Sequence, residues 1–308
     1  MSKTSTKAQW GAIKDRGWAI IIISSAVALF GVTSWAWWHY IRSNPERTFY
    51  AALENSLRAR GVSRTVRQVA GSQELEQKVQ LNLTTDHMVK SETSISQSGT
   101  VDAKVKTETI STPDAQYVRY TEIKTNEKNS KGEDVDFSEL INVWGVSEAT
   151  SPNQSTSELY GESVLGVIPV GNLNADERIN LMNSIRENNI YEFDNSKVEK
   201  SLEDGRPIYT YNITVAPEQY VAMLKQFASD IGLTSLENVD PAQYKDSPPL
   251  DFKVRVDVWS QSIVGIEYSG GARKEALNSY GIYTTVDEPM ETIPLQDLQV
   301  KLQEIQTQ

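Results

Sequence analysis

The run from Gly17 to Tyr40 carries no charged side chain over 24 residues, and it constrains this chain more than any other feature. As a helix it is long enough to cross about 30 Å of hydrocarbon. A helix in the core of a globular protein rarely stays uncharged for so long. Aromatic side chains that favour the membrane interfaces mark both of its ends, namely Trp18 at the first and Trp35, Trp37, Trp38 and Tyr40 at the second. The sequence therefore predicts one membrane-spanning segment.

This segment has two interpretations. Four basic residues precede it, which slightly favours a cytoplasmic N-terminus. The preferred interpretation is an uncleaved signal anchor at residues 17–41, preceded by a cytoplasmic segment at residues 1–16. The competing interpretation is a cleaved signal peptide with Ser34-Trp35-Ala36 as the cleavage site. Both place the remainder of the chain outside the cytoplasm, and the preferred interpretation keeps it at the cell membrane as a single-pass protein.

The chain beyond the span is strongly acidic. The whole chain carries a net charge of −11, whereas its first 44 residues contain five basic and one acidic side chain, which leaves −15 on residues 45–308. An acidic domain repels phosphate backbones, which argues against nucleic acid as a partner. The chain contains no cysteine, so disulfides, thiol chemistry and cysteine-bound metal are excluded.

The pattern after residue 44 predicts one extracytoplasmic domain of helices and strands at residues 45–305. Asn44-Pro45-Glu46 is typical of a helix start, and this helix is expected to run to about Arg60. Thr, Ser and Val are abundant between Thr65 and Thr125, with regular turn residues, which predicts four or five antiparallel strands in a meander. Ala149–Ser157 is a linker or exposed loop, and a division into two domains there is the less favoured alternative.

The second half contains stronger local signals. Asp176–Asn188 is predicted to be an amphipathic helix capped by Asn174. Glu203-Asp204-Gly205 is predicted to be the turn of a hairpin. A further helix begins at Pro217. The remaining predicted elements are strands at Phe252–Val258, Ile263–Tyr268 and Asn278–Thr285 and a final helix at Leu295–Ile305.

No catalytic or metal-binding motif stands out. The two histidines, His39 and His87, lie far apart, and neither belongs to an HExxH pattern, so the sequence predicts no zinc site. Patterns for a phosphate-binding loop and a nucleophile elbow are also absent. We therefore expect no enzymatic activity, no cofactor and no metal. A hydrolase that uses two carboxylates stays open, because such a pair is defined by distance in space.

Apolar and aromatic side chains recur on single faces of the predicted elements. One interpretation is a packed core between sheet and helix. The other is an apolar cavity under a curved sheet that holds a lipid. The candidate cavity residues are Val105, Tyr209, Tyr211, Ile213, Tyr220, Leu224, Phe227, Val254, Val256 and Val258.

The order of elements over about 100 residues of the second half resembles a known family. The residues that carry it are a tyrosine-rich hairpin, a helix with an initial proline, a strand ending in Val-Trp, its partner strand and a short Ser-Tyr-Gly segment, at Tyr209–Ile213, Pro217, Phe252–Trp259, Ile263–Tyr268 and Ser279–Gly281. This order is similar to the LolA/LolB lipoprotein carriers and, more closely, to the LppX/LprG lipid-carrier lipoproteins.

The resemblance implies an α+β fold, in which a strongly curved antiparallel sheet forms a half-open β-barrel with helices in its concave side, here preceded by one transmembrane helix. It also implies a lipid or lipoprotein acyl chain as the ligand. Those carriers are soluble or lipid-anchored, whereas this chain keeps a protein anchor, so local hand-over or sensing is expected rather than ferrying. The alternative function is a non-enzymatic envelope sensor or interaction module with a filled core that meets an envelope protein partner.

Overall fold

The computed structural model describes residues 44–84, 87–129, 132–148, 158–282 and 287–307. The predicted span at residues 17–41, with its interface aromatic residues, lies outside the described residues, and so does the loop predicted at Ala149–Ser157. None of the helices that the structure describes is long and apolar enough to cross a membrane.

Twelve strands of the described chain form one curved, unclosed sheet within the compact unit Phe49–Gln308. In chain order they are β1 (Gly61–Ala70), β2 (Gln73–Asn82), β3 (Met88–Gln97), β4 (Ala103–Ser111), β5 (Ala115–Thr125), β6 (Trp144–Glu148), β7 (Glu199–Glu203), β8 (Arg206–Val215), β9 (Leu250–Asp257), β10 (Ser262–Tyr268), β11 (Arg273–Asn278) and β12 (Ile293–Pro294). Their order across the sheet is β12-β6-β5-β4-β3-β2-β1-β11-β10-β9-β8-β7. Two antiparallel meanders, β1–β6 and β7–β11, therefore join at the central pair β1–β11.

Five α-helices accompany the sheet in the described residues. They are α1 (Pro45–Leu57), α2 (Glu158–Val164), α3 (Ala175–Glu187), α4 (Pro217–Asp230) and α5 (Leu295–Thr307). Buried side chains of α1–α4 form one continuous core cluster with β1–β3 and β8–β11, and α5 forms a second cluster beside β5 and β6. The α+β class and the open, curved sheet with helices agree with the prediction.

Local signals in the sequence account for several element boundaries. Asn174 caps α3 in a full capping box with Glu177, as predicted. Asp204 and Gly205 both take positive φ, at 48° and 77°, which gives the tight turn of the predicted β7–β8 hairpin. Helix α4 begins at Pro217, at the predicted position.

Two predicted boundaries are wrong. A strand was predicted at Asn278–Thr285, but β11 occupies Arg273–Asn278 and residues 279–282 are not in a strand. Residues 283–285 of that prediction lie outside the described residues. Gly270 and Gly271 have positive φ and turn the chain just before β11 begins. The inner-face positions of β11 include the charged Arg273 and Glu275, so the strand lacks the alternation of apolar and polar residues by which it could be predicted. Helix α1 ends at Leu57 and not near residue 60, because the next residue already makes a β-bridge to Asn172.

Candidate binding site

We name the face of the sheet that packs against α1–α4 the inner face. Strand register pairs Val62 with Leu81 and Leu81 with Val89, and all three belong to the core cluster that contains these helices. Tyr211 pairs with Val254 in the same cluster on the other half of the sheet. Because side chains alternate between the two faces of a strand, these pairs assign every strand residue to the inner or the outer face.

Charged side chains of the strands are concentrated on the outer face. Within β1–β11, the register places only Arg64, Arg273, Glu275 and, on the edge strand β7, Lys200 on the inner face. The inner face of β2–β6 carries no charged side chain at all. This separation is typical of a sheet whose inner face meets apolar material.

Glu275 is held by several donors at the centre of the inner face. Its Oε2 accepts a hydrogen bond from Nη1 of Arg64 at 3.4 Å. Its Oε1 accepts from Nε of Arg273 at 3.1 Å and from the hydroxyl of Tyr268 at 3.0 Å. The side chains of Arg64 and Glu275 are 7% and 2% exposed, whereas that of Arg273 is 39% exposed. We name these four residues the arginine cluster, which extends from the core to solvent.

The segment that follows α2 lies directly over Arg64. A Cβ atom on Gly166 would stand 3.7 Å from Nη1 of Arg64. The carbonyl of Gly166 accepts a hydrogen bond from the hydroxyl of Tyr220 at 2.8 Å. Burial, reinforced by neighbouring tyrosines and Glu275, raises the pKa of Tyr220 well above its usual value, so the hydroxyl remains a donor. Nε of Arg64 is buried and has no hydrogen-bond partner among the described residues.

The arginine cluster was not predicted from the sequence. Arg64 is 211 residues away from Glu275 along the chain and reaches it only through the β1–β11 pairing. Tyr268 comes close to Glu275 through the β10–β11 hairpin. One signal was present, because charged residues at positions 64, 273 and 275 stand where the alternation of a half-buried strand calls for apolar side chains. Charged residues at the apolar positions of a half-buried strand are therefore the sequence signal by which such a cluster can be predicted.

Nine of the ten predicted cavity residues belong to the packed core. Tyr211 is fully buried, and its ring centroid lies 5.3 Å from that of Phe49 and 5.2 Å from that of Phe193. Leu224 is partly buried against the same cluster. The others lie in it with at most 7% exposure, at Tyr209, Ile213, Tyr220, Phe227, Val254, Val256 and Val258. Side chains thus fill this part of the inner face, and ligand entry between them stays a prediction.

The tenth predicted residue, Val105, lies elsewhere on the inner face. The register joins Arg273, Gln68, Leu75, Ile95 and Val105 in one cross-strand row over β11, β1, β2, β3 and β4. We name it the inner row. Ile95 is 43% exposed, and Leu75 and Val105 are half-buried. The inner row is thus a strip of accessible apolar side chains with a cation at one end.

The outer face is of a different chemical kind. It carries a depression of about 510 Å³ over β2–β5, lined by charged and hydroxyl side chains. Burial alone would raise the pKa of Glu108, but hydrogen bonds from Lys90 and Arg119 outweigh it and lower that pKa overall. Hydrogen bonds from Lys106 and Lys124 lower the pKa of Glu122 to about 2. Paired charges of this density favour water or a polar partner over an acyl chain.

Groups with metal-binding or catalytic potential are scarce in the described ranges. No group of three or more His, Asp or Glu side chains there has the arrangement to hold a metal ion. Nδ1 of His87 lies 3.1 Å from the hydroxyl of Tyr160. This pair joins α2 to the residue that precedes β3.

Comparisons with known proteins return distant matches. No family model matches the chain, and no curated protein does. Among solved structures, LprF from Mycobacterium bovis is similar, with 10% identity and a TM-score of 0.37 over 79% of this chain and 96% of LprF. The MucA/MucB complex of Pseudomonas aeruginosa matches with 11% identity and a TM-score of 0.27 over 77% of this chain and 57% of that chain. At TM-scores this low, neither match assigns a ligand or a partner to this chain.

Proposed function

We propose that this domain binds a hydrophobic ligand, a lipid or a lipoprotein acyl chain, along the inner row. The observation that carries the proposal is the accessible apolar strip of Leu75, Ile95 and Val105 on a face without charge over β2–β6. Covering apolar surface gains about 25 cal/mol for each Å² removed from water. A ligand that lies along this strip gains that free energy without disturbing the packed core.

The packed core supports this location over the predicted cavity. Tyr211, Val254 and Val256 are each fully buried among side chains of the sheet and helices. A ligand entering between them would first have to separate α1–α4 from the sheet, at a cost in packing energy. The inner row needs no such separation.

The test is native mass spectrometry with lipid extraction on the full chain, purified from membranes of its own source. Ile95→Glu and Val105→Glu place a charge on the inner row, and Val69→Glu is the matched control on the outer face of β1, where Val69 is 55% exposed. We expect a co-purifying lipid that both inner-row variants lose and the control keeps. A clean mass without uptake of added fatty acids or phospholipids would contradict the proposal.

We also propose that the domain acts outside the cytoplasm, anchored by the uncharged run Gly17–Tyr40, and that its role is not enzymatic. An anchored binding domain serves hand-over or sensing at one membrane. Membrane fractionation with and without residues 1–41, followed by protease treatment of intact cells, tests the anchoring. Equal release of both forms into the soluble fraction would contradict it.

A second candidate function is protein interaction, and the edge strand β7 favours it. All five residues of Glu199–Glu203 are exposed, and Leu202 is 72% exposed at this rim of the sheet. An edge strand can pair with an added strand of another protein. A photo-crosslinking side chain at position 202 should then capture one defined envelope protein in native membranes, whereas the same group at position 69 should not.

A further inference from the structure

We propose that the arginine cluster binds the acidic group of an amphiphile, a carboxylate or a phosphate, whose apolar chain lies along the inner row. This inference rests on the proposed function and specifies its ligand. It begins from a charge imbalance, since Arg64 and Arg273 face one carboxylate, Glu275, beneath the helix layer. A net positive charge there contrasts with the −11 of the whole chain. Arg64 and Glu275 form a buried ion pair, which leaves the partly exposed guanidinium of Arg273 without a carboxylate of its own, so an anionic ligand would stabilise this site.

The hydrogen bonds of the cluster show which N–H donors remain available to a ligand. Oε1 of Glu275 already accepts hydrogen bonds from the hydroxyl of Tyr268 and from Nε of Arg273 at 3.1 Å, and Nη2 of Arg273 lies 2.9 Å from the same oxygen as an ion pair. Arg64 reaches only Oε2, through one long bond of 3.4 Å, although a guanidinium offers five N–H donors. Nε of Arg64 has no acceptor among the described residues. Buried donors normally have an acceptor, and the described side chains supply none for this one. A ligand oxygen could therefore be its acceptor.

The immediate surroundings offer Arg64 little else. Its inner-face neighbours along β1 are Val62 and Val66, and the residues paired with it on β2 and β11 are Val79 and Leu277. All four are apolar and at most 5% exposed. The charge of Arg64 is therefore not held by a polar network of the sheet beyond Glu275. Planar guanidinium groups match carboxylate and phosphate oxygens, which defines the chemical class of the head group.

Arg273 connects this site to solvent and to the apolar strip. Its side chain is 39% exposed, so an anion approaching from outside meets it before Arg64. In the register, Gln68 separates it from Leu75, and Ile95 and Val105 continue the row. Four inter-strand steps of about 4.8 Å make this row roughly 19 Å long. A cation at one end of a row that continues over Leu75, Ile95 and Val105 complements a molecule with an acidic head and an acyl chain.

The test uses the full-length chain in amphipols and a palmitic acid with a diazirine at the end of its chain, with the methyl ester of the same probe as its neutral match. After irradiation, we expect the acid to label peptides that contain Ile95 or Val105 at least about tenfold more than the ester, the factor that one charged hydrogen bond provides. Arg64→Met and Arg273→Gln should each reduce acid labelling to the level of the ester. Arg64→Lys should retain part of it, because the charge stays and the planar fork is lost.

Arg67→Met is the matched control, since Arg67 lies on the same strand but on the outer face and is 66% exposed. Thermal melting of each variant confirms folding, and the partly exposed Arg273 keeps the test valid if Arg64→Met does not fold. Equal labelling by acid and ester, or an acid preference that survives both arginine variants, would overturn the acidic-group site and leave the proposed function intact. Absence of inner-row labelling by either probe would overturn both the acidic-group site and the proposed function.

A competition experiment distinguishes the sources of the anion. Phosphatidic acid should displace the probe, whereas displacement by inorganic phosphate at equal concentration would overturn an amphiphile as the ligand.

Discussion

Gly171 leaves the space that the ring of Phe227 occupies. A Cβ atom at position 171 would stand 2.7 Å from Cε2 and 2.8 Å from Cζ of that ring. Phe227 is fully buried on α4, so its ring has no free volume into which to move. The segment between α2 and α3 can therefore approach α4 only through glycine.

We expect Gly171→Ala to destabilise the domain by about 1–3 kcal/mol, the usual cost of overpacking. Thermal and urea unfolding of the full chain measure this loss in the free energy of unfolding. Gly161→Ala is the matched control, because a Cβ on that α2 residue meets nothing within 4 Å. Adding Phe227→Leu to Gly171→Ala should recover part of the loss, and a double-mutant cycle without coupling would refute the contact.

The close packing of α5 on Gly145, near the β12 edge of the sheet, leads to a prediction about the local stability of α5. Its missing Cβ would stand 3.0 Å from methyl groups of Leu295 and Leu298 and 3.3 Å from Cα of Leu295. Gly145→Ala should therefore push α5 away from β6. Hydrogen exchange should show faster exchange in Leu295–Thr307 with little change in α4. Unchanged protection of α5 would show that the helix tolerates the methyl group.

Glu108 predicts a pH dependence. Its pKa lies below the usual 4.5 because Lys90 and Arg119 outweigh the effect of burial. A carboxyl whose folded-state pKa is depressed stabilises the fold above its unfolded pKa, and this contribution is lost as the pH falls through the folded value. Glu108→Gln should cost about 1–2 kcal/mol at pH 7.

The difference between wild type and Glu108→Gln should shrink as the pH falls below 4.5. Urea unfolding at a series of pH values measures this trend. Glu74→Gln is the control on the outer face of β2, where Glu74 is exposed and makes no ion pair with described residues. A difference that stays constant from pH 7 to pH 3 would assign the effect of Glu108→Gln to shape and not to charge.

The capping box of α3 gives a fourth prediction. Oδ1 of Asn174 accepts from the backbone N–H groups of Asp176 and Glu177, each at 3.0 Å, and Oε2 of Glu177 accepts from the N–H of Asn174 at 3.0 Å. Asn174→Ala should cost about 1 kcal/mol in thermal unfolding. Glu177→Gln should cost less, because glutamine also fits this motif. A loss for Glu177→Gln as large as that for Asn174→Ala would indicate that the negative charge of Glu177 at the helix start contributes as much as the Asn174 cap.

Elements set by local chemistry could be predicted from the sequence. The Asn174 cap, the Asp204-Gly205 turn and the start of α4 at Pro217 each depend on residues within one or two turns of chain. The short strands β6 and β12 were missed, because five and two residues are too few to show a period.

Features set by pairing across the chain could not be predicted. The inner row and the arginine cluster exist only because β1 lies between β2 and β11, and no local pattern specifies that order. The apolar faces of β8 and β9 were correctly placed beside helices. Their aromatic rings fill the space under the helices, however, and packing density is not encoded in alternation.

The β1–β11 pairing has a consequence for how the chain reaches its native state. Ser63 pairs with Asn278, so synthesis delivers the central strand of the sheet about 200 residues before its second neighbour. Contacts of such long range form slowly, and β1 meanwhile presents an unpaired edge that other chains can join. The period of greatest risk for misassembly therefore ends only when β11 emerges, and the vulnerable edge lies in the middle of the finished sheet and not at its rim.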